Sequence, residues 1–209
     1  MAQNTKLARD SLRSPRSAAI AGIAFAVLLG VALVLVRLAV PADPLEAPTW
    51  LDDTFRRSSV VFALNLVPFA GLAFLWFIGV VRDRIGDAED RLFATVFLGT
   101  GLLFVAMLFV SAAVAGGLIA AESQHRGREI SPEVWQFGRH TTHLVLTVFA
   151  MRMAGAFTIV TTTIAARLRI FPRWLVVFGA VIAVVLLFTI ESFAWVHGSS
   201  ARVTSWPST

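Results

Sequence analysis

The sequence predicts an all-α, polytopic membrane protein with about five transmembrane helices in one bundle. Three observations predict it. Apolar residues make up 57% of the 209-residue chain and charged residues 15%, against about 25% charged in soluble domains. Mean hydropathy is +0.76. The apolar residues also gather in five long blocks, and the polar stretches between them are too short to form a separate domain. The expected organisation is a basic segment (1–17), a five-helix transmembrane domain (18–197) and a polar tail (198–209).

The first span is expected over 18–40, behind Lys6, Arg9, Arg13 and Arg16. A basic start before an apolar core also describes a signal peptide, whose core runs only about 7–15 residues. This core is longer, so an uncleaved helix is expected. Ala18, Gly22, Ala26 and Gly30 place a small residue at every fourth position, the pattern that lets helix backbones approach closely in lipid. That face is expected to meet a neighbouring helix of the same chain, with a homo-oligomer or a membrane-complex partner as the alternative.

The second span is expected over 58–81, with an earlier helix start at a Thr49–Asp52 capping box. The third, over 92–121, carries no charge; its thirty residues would span about 45 Å, more than a hydrocarbon core of about 30 Å. It must tilt, project from the bilayer or break near Gly116-Gly117, and Asp87 is placed to cap its start. The fourth span, over 141–166, contains Arg152. Ser131-Pro132-Glu133 before it reads as a helix start, carrying Trp135 and Phe137 as an interfacial segment. The fifth span, over 174–196, contains Glu191 and is bounded by Trp174 and Trp195 at the two headgroup levels. Its short link to the fourth makes these two an antiparallel hairpin.

The net charge of +5 does not imply nucleic acid, because basic residues cluster at span ends and no basic stripe is interleaved with aromatics. The expected partner is the lipid bilayer. Lys6, Arg9, Arg13, Arg16, Arg82, Arg84, Arg91, Arg167, Arg169 and Arg173 fall on one side of the membrane. Arg56, Arg57, Arg126, Arg128, Arg139 and Arg202 fall on the other. The positive-inside rule then places the amino terminus in the cytoplasm and the carboxy terminus outside. Seventeen arginines against one lysine suggest a GC-rich bacterial genome, hence a bacterial plasma membrane.

The absence of cysteine excludes disulfides, thiolate metal sites and a cysteine nucleophile. No P-loop, dinucleotide glycine pattern, HExxH or nucleophile elbow is present, and no cofactor is expected. Whether the chain is an enzyme is left open. The leading candidate site is an intramembrane polar cluster of Arg152, Glu191, Asn65 and Ser111, all at comparable depth in the outer half. Buried charges need a partner or a wet cavity, so the cluster is either a transport path or a register-fixing ion pair. Pro68 adds a freed carbonyl at Leu64.

Histidines supply the alternative: His140 and His143 share a helical face, and His197 reaches the same outer level. With His125 they form a weak metal or haem set, or part of an outer-face active site. His143 and Arg152, nine residues apart, fall about half a turn apart on an ideal helix. The charged 82–91 loop reads as a solvated hairpin, and Thr161, Thr162 and Thr163 as residues bonding their own backbone. The expected function is a small transport or channel-like component, or a structural subunit of a membrane complex.

Overall fold

The computed structural model describes the backbone of residues 15–40, 53–85, 91–124, 131–168 and 172–200, with side chains described as far as residue 188. Every regular element among them is helical, and the chain is a helical membrane bundle. The helices are α1 (Pro15–Ala39), α2 (Thr54–Ile85), α3 (Arg91–Gln124), α4 (Pro132–Arg167) and α5 (Arg173–Ser200). The first four are long and apolar enough to cross a membrane, and α5 carries an apolar stretch over Arg173–Phe188. The Thr49–Asp52 box, the Asp87 cap, His125 and the tail from position 201 lie outside the described residues; the backbone of 198–200, expected as tail, continues α5.

Local chemistry explains the helix ends. Asp53 caps α2, its carboxylate accepting from the Phe55 and Arg56 amides at 2.9 and 3.4 Å. Ser131 precedes α4, Pro132 occupies its first turn and Glu133 places a carboxylate against the helix dipole. This start is continuous with the membrane span rather than a separate interfacial segment. Trp135 is buried within the bundle, while Phe137 is 75% exposed. Helix α3 runs unbroken through Gly116-Gly117 for 34 residues, about 51 Å, so it tilts or projects rather than breaking.

Six consecutive residues of α4, Val145–Ala150, form a π-helical turn. Such a turn inserts a residue into the α-helical register and withdraws about 100° of rotation between the residues flanking it. No proline or glycine marks it in the sequence. Its neighbour supports it: Ser111 Oγ donates to the Thr142 carbonyl at 3.2 Å, just ahead of the turn.

Sequential helices pack as neighbours, and α3 runs along every segment of α4. One half of the bundle is filled by phenylalanine. Phe74 of α2 lies 4.7 Å from Phe25 of α1, 5.5 Å from Phe104 of α3 and 5.2 Å from Phe157 of α4, between ring centroids. Phe97 stacks 4.9 Å from Phe157 and is fully buried. At the same end the Arg167 guanidinium sits 4.3 Å above the Phe93 ring, tying the end of α4 to the start of α3.

The α1 seam differs in part from the expected stripe. The buried positions are Ala21, Ala32 and Ala39, with Phe25 and Leu29 packed against the main core. Gly22 lies at its edge, where an added Cβ would meet Phe77 at 3.3 Å; Ala26 is exposed and Gly30 has nothing within 4 Å. The stripe therefore lies about one residue's rotation from the packed face. Helices α4 and α5 form the expected antiparallel pair: a Cβ at Gly155 would fall 2.9 Å from Leu187, and one at Gly179 would fall 2.8 Å from Thr162.

Candidate functional site

The half of the bundle opposite the phenylalanines holds a chamber of about 320 Å³. Its walls come from the end of α1, the start of α2, the end of α3 and the start of α4. Small residues on three helices, Ala32, Ala63, Ser111, Ala112 and Ala115, stand in its wall among larger leucines and valines. Val67 and Leu108 of the main core line one end of the chamber, and Val60, Ile119 and Trp135 of a smaller buried cluster line the other.

Polar groups are few and placed on α4 and α3. Ser111 is 5% exposed and hydrogen-bonded to Thr142, whose own hydroxyl donates to the Gly138 carbonyl at 2.9 Å. Arg139 and His143 also line the wall. Trp135 is buried, and its indole Nε1 finds no hydrogen-bond acceptor among the described residues. The exposed lining residues Leu33 of α1 and His143 of α4 mark a mouth between two helices that are not a closely packed pair.

The expected polar cluster is not assembled in this chamber. Of its three members whose side chains are described, only Ser111 lines it. Asn65 is exposed, donates from Nδ2 to the Val61 carbonyl of its own helix at 2.8 Å, and faces a second cavity of about 350 Å³ with Arg57 and Gly116. Depth was matched but rotation was not: the buried stripe of α2 is Ala63, Val67 and Ala70, and Asn65 lies about 200° around from Ala63. The Leu64 carbonyl beside Pro68 is not its partner.

Arg152 is half-buried, engaged in an interaction, and lines neither cavity. The side chain of Glu191 lies outside the described residues. The α5 positions that meet α4 are Gly179, Ala183 and Leu187; one more turn of that stripe reaches position 191. On α4, Arg152 is one turn from Gly155, which packs on the same stripe. The backbone thus brings the two positions to facing stripes at nearly one level.

The histidine set is likewise divided. His140 is exposed and places Nδ1 2.8 Å from the Gln136 carbonyl, a contact that calls for a proton on that nitrogen. His143 sits at the chamber mouth with Nδ1 3.4 Å from the Thr147 hydroxyl. The side chain of His197 lies outside the described residues, and no group of three potential metal ligands occurs among the described ones. The π turn reduces the separation of His143 and Arg152 from half a turn to about 80°, though only His143 reaches the chamber. Thr161 and Thr163 donate to the Phe157 and Ile159 carbonyls of their own helix, at 2.7 and 2.8 Å.

The chamber was missed in sequence because nothing in the sequence shows that residues of four helices, among them Ala32, Ala63, Ser111 and Thr142, face a common space. No family model, curated protein or solved structure matches the chain.

Proposed function

We propose that this chain is a non-catalytic component of a bacterial plasma membrane, of the carrier or accessory-subunit kind, that holds an apolar small molecule in the four-helix chamber. The observation that carries this reading is the chamber itself. Its size sits at the lower end of the range for small-molecule sites, and its walls are alanine, valine and leucine with a few polar groups at one side. A mouth between α1 and α4 would face lipid, so a guest could enter from the bilayer. An enzyme would need an activated nucleophile or an acid–base pair inside; the Ser111 and Thr142 hydroxyls of the lining donate to backbone carbonyls, and His143 stands at the rim.

Photolabelling tests this. An alkyl diazirine probe in nanodiscs should label α3 and α4 peptides around the chamber, and Ala115→Trp should reduce that labelling several-fold while the protein still elutes as a folded species. Labelling spread evenly over lipid-facing helices and unaffected by the substitution would contradict it.

The ten-to-six distribution of lysine and arginine supports a cytoplasmic amino terminus and an outside chamber. Single-cysteine labelling in intact cells should reach the loop around Gly127–Pro132 and spare the loop over Arg82–Arg91; the reverse pattern would invert the topology.

A further inference from the structure

The geometry points to a second copy of this chain as the partner of the exposed side of α2, with the two copies paired through Asn65. The chamber plays no part in this inference. Asn65 stands seven residues, about 10 Å, inside the apolar block 58–81, and it is exposed. Its Nδ2 carries two N–H groups. One goes to the Val61 carbonyl at 2.8 Å, and among the described residues nothing engages the other N–H or Oδ1. One donor and one acceptor are therefore left facing hydrocarbon, where no water satisfies them.

The neighbours of Asn65 on this face are Phe62, Phe69, Leu72 and Trp76, all exposed. They alternate by three and four residues, as in the seam of two helices crossing at a shallow angle, and a single asparagine in such a seam fixes its register. Two copies inserted the same way are related by a two-fold axis along the membrane normal, so each seam residue meets its own counterpart at one depth. A guanidinium or a carboxylate would repel its counterpart there. An amide with one donor and one acceptor left completes two hydrogen bonds with its own image. That self-complementarity favours a second copy over a different helix.

The surface beside Asn65 has the relief that such a pair needs. The cavity of about 350 Å³ between α2 and α3 is walled by Val61, Leu64, Gly116 and Ala120. Around α2, Val61 and Leu64 fall on one side of Asn65, and Phe62 projects about 60° to the other. The two-fold axis carries the Phe62 of one copy across the seam to the cavity of the other. The levels agree, because the α2 part of the cavity wall runs from position 57 to position 65. Each copy thus offers a ring and a recess, and the axis exchanges them. Arg57 lies about 80° round from Asn65, clear of the seam.

The chain contains no cysteine, so Leu72→Cys puts its sole thiol in the seam and Val177→Cys puts it on the exposed face of α5. In liposomes of increasing lipid content, copper phenanthroline should crosslink position 72 into dimers and leave position 177 at the level of random collision. The dissociation constant read from that dilution series should rise about tenfold with Asn65→Val. Asn65→Gln, which keeps the amide, should retain most of the association, and Phe62→Ala should weaken it. Thermal unfolding of the dilute, monomeric protein should be unchanged by all three, because both side chains are exposed in a single copy. Equal crosslinking at positions 72 and 177, or dimers indifferent to Asn65→Val, would overturn the pairing. A chain that stays monomeric at every density, while its position-72 thiol crosslinks to another protein in cells, would give this face to a different helix and overturn the second copy.

Discussion

Replacing Phe74 with alanine should be the most damaging single truncation in the chain, lowering stability by about 3–5 kcal/mol. Phe74 is 4% exposed, and rings from α1, α3 and α4 surround it. Lipid is as apolar as phenylalanine, so the loss is not one of transfer from water; it is the loss of dense contact between four helices. A cavity there cannot close without moving helices that the ring holds apart. Phe69, on the same helix but 63% exposed, should tolerate alanine with little change. Thermal or denaturant unfolding in one detergent checks both, and equal sensitivity at the two positions would contradict the packing. The same substitution should also distort the chamber, because Val67 and Leu108 belong both to this core and to the chamber wall.

Arg152→Met and Glu191→Gln should each destabilise by about 3–5 kcal/mol, and the double change should recover much of the loss. The expectation stands on the antiparallel register of α4 and α5, in which the stripe from Gly179 through Leu187 leads to position 191 opposite the turn containing Arg152. A charge left alone at that depth is expensive, whereas removing both leaves two neutral side chains. Unfolding of the four variants in a double-mutant cycle measures this. Strictly additive losses would show that the two residues are not coupled.

The helices themselves were legible because lipid leaves a backbone few options. A long uncharged run such as 92–121 must satisfy its own hydrogen bonds, and a helix does so. Helix starts were legible where the chemistry is local, as at Ser131-Pro132-Glu133, where a proline and a carboxylate occupy the first turn. The site was not legible, for two physical reasons. Depth along a helix can be counted from sequence, but rotation depends on which face neighbours occupy; Asn65 and Ser111 share a depth and face different cavities. The π turn at Val145–Ala150 then changed the rotation of everything beyond it, with no residue type to announce it. Small residues carried a further ambiguity. Gly155 does bring two helices together, whereas Ala112 and Ala115 line the chamber, and residue size alone does not tell the two outcomes apart.

The chain contains no cysteine, so a single introduced thiol is its sole thiol and reports on its own surroundings. Ser111→Cys would place that thiol in the chamber wall, and Ala113→Cys would place it on the exposed face of the same helix at nearly the same depth. Rates of modification by a small methanethiosulfonate reagent, with and without dodecanoate, measure occupancy of the chamber directly. Dodecanoate should slow modification at position 111 several-fold and leave position 113 unchanged. Unaltered rates at 111, or equal slowing at both positions, would contradict a guest site in the four-helix chamber.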